Sequence, residues 1–173
     1  TLSLHDALPI LLSLSLAVER ELGRVVETLL DPGPFLAFSN GDPAENNFLT
    51  DRGGGRLIDF EFAAYRHALT CAHWIHVPGP AWITVSDSLS PELEDEYRSA
   101  LSLGISEARD DHLFGTGMAS ACLGFACDRL GRFATLDERA AGDPSRVQMV
   151  STLESAARAA QRHRAFPHLA GWI

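Results

Sequence analysis

Ser39-Asn40-Gly41-Asp42-Pro43-Ala44-Glu45-Asn46-Asn47-Phe48-Leu49, followed by Leu57-Ile58-Asp59-Phe60-Glu61, is the stretch on which the reading of this chain turns. The apolar run 35–38 stops at a polar loop that carries Asp42 and, five positions on, Asn47. Phe48-Leu49-Thr50 reads as a strand, Asp51-Arg52-Gly53-Gly54-Gly55 as a turn, and 56–62 as a second strand bearing Asp59. With the turn centred near Gly53-Gly54, facing positions sum to about 107, and opposed strand residues lie roughly 5 Å apart. Asn47 and Phe48 then face Phe60 and Asp59, which brings Asn47 and Asp59 within reach of one ion. Alternation sets Leu57, Asp59 and Glu61 on a face lining a cleft, and Ile58, Phe60 and Phe62 on a face that buries against helices.

A few hard oxygen ligands of this kind suit Mg²⁺ held jointly with substrate phosphates. Gly41 permits an unusual backbone angle and Pro43 stiffens the loop exit, a way to fix the Asp42 carboxylate in place. There it could take a proton from an attacking hydroxyl, a role that needs position more than a large pKa shift. The same residues are also ordinary turn chemistry, and Asp59 could be a solvated strand residue. It is the joint spacing of Asp42, Asn47 and Asp59 that favours a site.

The rest of the chain bounds the setting. At 173 residues it has the size of one domain with a real core. A net charge of −9 argues against a nucleic-acid partner, which needs basic surface to meet phosphates. All 14 basic residues are Arg, and no Lys is present. Three cysteines, Cys71, Cys122 and Cys127, make no disulfide framework and point to a reducing cytoplasm. The apolar run 8–16 holds Pro9, Ser13 and Ser15 and is too short to span a membrane. Residues 1–10 do not read as the start of a domain and look like translated adapter sequence. Residues 1–12 are therefore set aside as a non-native or fragment-end segment, with 13–173 as one domain.

Residues 13–30 have helical periodicity, with Leu14, Val18, Leu22, Val25, Val26 and Leu29 on one side and Glu19, Arg20, Glu21 and Arg24 on the other. Residues 65–76 read as a helix and 81–90 as irregular. Ser90-Pro91 supplies a cap and first position for an acidic helix over 92–103. The longest helical stretch is 107–133, rich in small residues that permit close packing, although its glycines count against an unbroken helix. A short helix at 136–141 and an amphipathic one at 145–164 complete an α+β, mainly α chain.

Gly-Asp-x-x-x-x-Asn followed by Ile-Asp-Phe-Glu resembles the aminoglycoside phosphotransferase and choline kinase group, whose fold is protein-kinase-like. The resemblance is dense over 38–74. It implies the C-terminal lobe of such an enzyme, with a small β-hairpin at the cleft. It further implies ATP- and Mg²⁺-dependent phosphoryl transfer to the hydroxyl of a small molecule: an aminoglycoside, choline or ethanolamine, or a sugar-like acceptor, often cationic. On this resemblance Asp42 is the catalytic base, and Asn47 and Asp59 hold Mg²⁺ and through it the nucleotide. Two positions depart from the family pattern. Asn40 stands where a His usually precedes Gly-Asp, and Cys71 stands where an Asp often follows the metal strand. The family's N-lobe Lys has no counterpart either, so the chain is expected to be inactive without that lobe. The alternative is a non-catalytic pseudo-kinase or binding domain.

Other candidates have blander readings. His67, Cys71, His73 and His76 lack structural-zinc spacing and are assigned to helix surface and core. Cys122 and Cys127 read as small buried hydrophobes. Glu92, Glu94, Asp95 and Glu96, with Asp110 and Asp111, read as a solvated acidic face, or else as the wall of a cationic acceptor site.

Overall fold

The computed structural model describes residues 14–42, 47–77 and 91–173. The assignments made above for residues 1–12, Pro43, 81–90 and the Ser90 cap lie outside the described residues. The elements run α1 (Leu16–Leu30), β1 (Leu36–Ser39), β2 (Phe48–Asp51), β3 (Gly54–Leu57), β4 (Ala64–His67), α2 (Pro91–Leu101), α3 (Asp111–Leu130), α4 (Ser145–Arg162) and α5 (Pro167–Trp172). Short 3₁₀ turns at Gly33–Phe35, Ala68–Ile75, Ser106–Arg109 and Phe133–Glu138 join them. The fold is α+β and mainly helical, with two small antiparallel sheets. Among the described residues no helix is long and apolar enough to cross a membrane.

α3 is the hub. It packs against α1, α4 and the Ala68–Ile75 turn, and α5 closes over α1 and α4. Asp110 caps α3, its Oδ1 accepting from the backbone N–H groups of His112 and Leu113. Phe114, Met118, Ala119, Ala121, Cys122, Leu123 and Ala126 are buried along it. The small residues do allow close packing, and the glycines do not interrupt the helix. α1 starts at Ser15, whose Oγ accepts from Val18 N–H, and buries Val18 and Val25 as its periodicity predicts. Glu21, assigned to the polar side, is instead buried. Its Oε2 accepts a 2.8 Å hydrogen bond from Leu169 N–H and so fastens α1 to the first turn of α5. An apolar stripe shows which side of a helix is oily; it does not show that a neighbouring helix start will arrive with an unpaired N–H.

Two expectations around the sheets are corrected. Residues 65–76 are not one helix: Ala64–His67 is a strand and Ala68–Ile75 a 3₁₀ segment. The strand forms because β1 is there to pair with it, from Leu36 opposite His67 to Ser39 opposite Ala64. The second correction is the hairpin register. Phe48 faces Leu57 and Asp51 faces Gly54, so facing positions sum to two less than expected. Asp51 is the cause: its Oδ1 accepts from Gly53 N–H at 2.6 Å, its Oδ2 meets Arg56 at 3.3 Å, and the turn closes over Arg52-Gly53.

His67 joins sheet to helices. Its Nδ1 accepts from Leu69 N–H at 3.2 Å, capping the 3₁₀ segment, and its ring stacks on Phe35 at 5.1 Å. Burial pushes the imidazole down to about 4. A folded-state pKa below the unfolded value means that the unfolded chain takes up the proton first. The stability contribution is therefore whole above about pH 6.5, is lost as pH falls toward 4, and levels off below. Protonation would also put a hydrogen on the nitrogen that must accept from Leu69. Chemical denaturation at pH 7 and pH 4 should show a fall in unfolding free energy that is smaller in His67→Asn by on the order of 3 kcal/mol. An equal fall in both proteins would show that His67 is not held neutral.

Candidate functional site

β1 and β4 bracket the β2–β3 hairpin, so the chain leaves the first sheet at Ser39 and returns to it at Ala64. The described residues between them, the hairpin among them, are pinned at their base. Asn40, 2% exposed, does the pinning. Its Nδ2 donates to the carbonyl of Asp42 at 2.9 Å and to that of Ile58 at 3.1 Å. One amide thus ties the backbone at Asp42 to the residue next to Asp59. Asn47, equally buried, donates through its own Nδ2 to the same Asp42 carbonyl at 3.3 Å, and its backbone carbonyl accepts from Ile58 N–H at 2.9 Å. The three residues singled out by spacing are therefore drawn onto one knot of backbone. The shifted register removes the expected direct opposition of Asn47 to Phe60, but leaves Asn47 paired with the residue before Asp59.

Asp59 itself has φ +59, a left-handed conformation that a non-glycine residue adopts at a cost of about 1–3 kcal/mol. The expected strand over 56–62 ends at Leu57 for this reason. With the backbone turned at Asp59, the alternation that would bury Ile58, Phe60 and Phe62 together is broken. That expectation is corrected: Ile58, Phe60 and Phe62 are exposed, Phe62 by 61%. Phe60 stacks on Phe38 at 6.1 Å, and Tyr65 meets Phe38 edge-on at 5.5 Å, forming an exposed aromatic ledge beside the loop.

No protein-family model and no curated protein matches the chain. The chemistry has to be read from the side chains.

The loop has a second support that spacing alone did not show. Gly41 N–H donates to Ser39 Oγ at 3.1 Å, and Ser39 Oγ is hydrogen-bonded to Cys71 Sγ at 2.9 Å. Cys71 thus reaches the loop from the 3₁₀ segment through Ser39. The one signal for it in the sequence is its position, where the resembled family often has a carboxylate. Gly41 has φ +82, and a Cβ there would run into the Phe62 carbonyl and come within 2.8 Å of Arg66 Nη2. Arg66 Nη2 in turn donates to that carbonyl at 2.6 Å. The residue before Asp42 is therefore packed too closely for a side chain.

The His residues fall to the core part of their assignment, and the acidic run departs from expectation at one residue. His67, His73 and His76 are buried in the core. His73 stacks on Phe125 at 4.0 Å, and burial lowers its pKa. Glu94 is 4% exposed, in contact with His76 and with His163, a residue that sequence reasoning did not single out. Asp111 pairs with Arg98 at 2.7 Å. Glu92, Asp95, Glu96, Asp110 and Asp111 are exposed, as a solvated acidic face requires, and only Glu94 turns inward.

Proposed function

We propose that the chain is the base- and metal-holding lobe of a kinase-like phosphotransferase that transfers a phosphoryl group from MgATP to the hydroxyl of a small molecule. The observation that carries this reading is the convergence of the Asn40 and Asn47 amides on the Asp42 carbonyl, which links Asp42, Asn47 and the Asp59 turn. An attacking hydroxyl needs a carboxylate in a fixed place, and a doubly held carbonyl at Asp42 fixes the backbone from which that carboxylate projects. The Asp59 carboxylate and the Asn47 amide oxygen are hard donors of the kind that hold Mg²⁺ with substrate phosphates. The ion, when bound, would neutralise charge on the transferring group. Asn40 hydrogen-bonds where the family's His would, and Cys71 reaches the loop through Ser39, so both departures keep a structural role. The free thiols of Cys71, Cys122 and Cys127 fit a reducing, cytoplasmic setting. The reading also requires a nucleotide-covering lobe with a phosphate-binding cation, because the family's Lys has no equivalent among these residues.

The test is calorimetric binding of ATP by the full-length protein with and without Mg²⁺. Binding should depend on Mg²⁺, and Asp59→Ala should weaken it by about tenfold or more, equivalent to ~1.4 kcal/mol. Mg²⁺-independent binding, or an Asp59→Ala variant that binds as well as the parent, would sink the assignment. No nucleotide binding at all would favour the non-catalytic domain.

A further inference from the structure

At the C-terminal end of the Ala68–Ile75 segment, the end away from His67, three donor atoms meet in the interior. His76 sits at the C-cap of that segment, Glu94 in the first turn of α2, and His163 at the C-cap of α4. His76 Nε2 and His163 Nε2 both contact one oxygen of the Glu94 carboxylate, Oε2, the latter at 3.0 Å. One ligand atom from each residue lies within 4.8 Å of the other two. The two rings stand nearly perpendicular, with centroids 6.0 Å apart. The other carboxylate oxygen, Oε1, is approached by Arg162 Nε at 3.5 Å, so the carboxylate is oriented with Oε2 toward the imidazoles. His76 and Glu94 are about 5% exposed or less, and the His163 side chain is 12% exposed.

We propose that His76, Glu94 and His163 form a binding site for a divalent transition-metal ion, with Zn²⁺ as the preferred occupant. Two imidazole nitrogens and one carboxylate oxygen are a recognised three-ligand set for zinc, which leaves a fourth position for water or an exogenous ligand. In the neutral tautomer protonated at Nδ1, each imidazole turns an Nε2 lone pair toward the point where the two rings and the carboxylate meet. Nitrogen donors select against Mg²⁺, which prefers oxygen ligands and octahedral geometry. Arg162 supplies the outer contact that fixes a ligating carboxylate. The ligands come from three separate elements, so a bound ion would staple α2 and the end of α4 to the Ala68–Ile75 segment. The site lies apart from Asp42, Asn47 and Asp59 in sequence and in donor chemistry, and it does not rest on the phosphotransferase reading.

The experiment uses the whole chain, stripped with a chelator and titrated with Zn²⁺ alone. One Zn²⁺ per chain should survive desalting and raise the melting temperature, and excess Mg²⁺ should not displace it. Co²⁺ in its place should give the visible absorption of a four-coordinate site. Glu94→Gln keeps an oxygen that accepts from both imidazoles but removes the charge; it should bind Zn²⁺ weaker by about 100-fold or more. His163→Ala should abolish the Co²⁺ absorption, and circular dichroism reports whether either variant keeps its helices. Exposed His112 serves as the control, and His112→Ala should bind as the parent does. Failure of the parent to retain zinc would overturn the proposal. So would an unchanged affinity in Glu94→Gln, or a Co²⁺ spectrum unchanged in His163→Ala.

Discussion

Phe114→Ala is expected to lower the free energy of unfolding by about 3–5 kcal/mol, the range for truncating a buried aromatic residue in a core that relaxes only in part. Phe114 is 1% exposed, in the first turn of the central helix α3. Its ring is contacted on several sides. The Arg98 guanidinium lies 4.8 Å from its centroid, and the His163 ring meets it edge-on at 6.2 Å. Those partners belong to α2 and to the end of α4, so the lost ring would leave a cavity at a junction of three helices. A whole domain has only about 5–15 kcal/mol to lose. Urea titrations should show the midpoint falling with little change in slope, because the surface exposed on unfolding is nearly the same. Leu113 next to it is 44% exposed, and Leu113→Ala should move stability by no more than about 0.5 kcal/mol. Similar effects at the two positions would mean that α3 is rotated from the orientation described.

The contrast between Phe114 and Leu113 also shows what the sequence does and does not reveal. α1 and α4 were legible because a helix facing a core on one side repeats its apolar residues over many turns, as Val18, Leu22, Val25 and Leu29 do. α3 is buried on most sides, so it has little periodicity to read, and its glycines argued against it. Gly117 shows why one of them is there. A Cβ at that position would come within 2.9 Å of both His67 Cε1 and Leu69 Cδ1. The glycine lets α3 close onto the sheet-to-helix junction, a constraint set by residues some 50 positions earlier.

β4 was illegible for a related reason. Four residues carry too little pattern to tell a strand from a helix, and what makes Ala64–His67 a strand is its partner β1, nearly thirty residues away. The hairpin itself was legible, but its register hung on one local contact, Asp51 with Gly53 N–H, that shifts every facing pair. Asp42, Asn47 and Asp59 could be picked out by spacing, and the structure draws their backbones together; the Ser39–Cys71 support could not be found that way. Glu94 was hidden most completely. In a run of acidic residues nothing local marks the one that turns inward, because its partner His163 lies 69 positions later.

If the phosphotransferase reading holds, Asp42→Asn in the full-length protein is expected to reduce turnover by about 10²–10⁴-fold, the usual contribution of a positioned general base, while Mg²⁺-dependent ATP binding stays close to that of the parent. The amide keeps the size and shape of the side chain but cannot accept the proton of an attacking hydroxyl, so the loss belongs in kcat. The backbone carbonyl that Asn40 and Asn47 hold is untouched by the change, so the loop should stay in place. Gly41→Ala gives the complementary result. It leaves the Asp42 carboxylate chemically intact but adds a Cβ where φ is +82 and where the Phe62 carbonyl and Arg66 already stand. The loop has to move, and with it the Asn40 bridge between Asp42 and Ile58. A role that depends on position should then fail although its functional group survives. Hydrogen exchange at Ile58 N–H, which donates to Asn47, should quicken in Gly41→Ala and stay unchanged in Asp42→Asn, with α3 amides protected in both. If both variants turned over substrate like the parent, Asp42 would not be the base. If Asp42→Asn alone lost activity while Gly41→Ala kept it, the carboxylate would matter and the rigid loop would not.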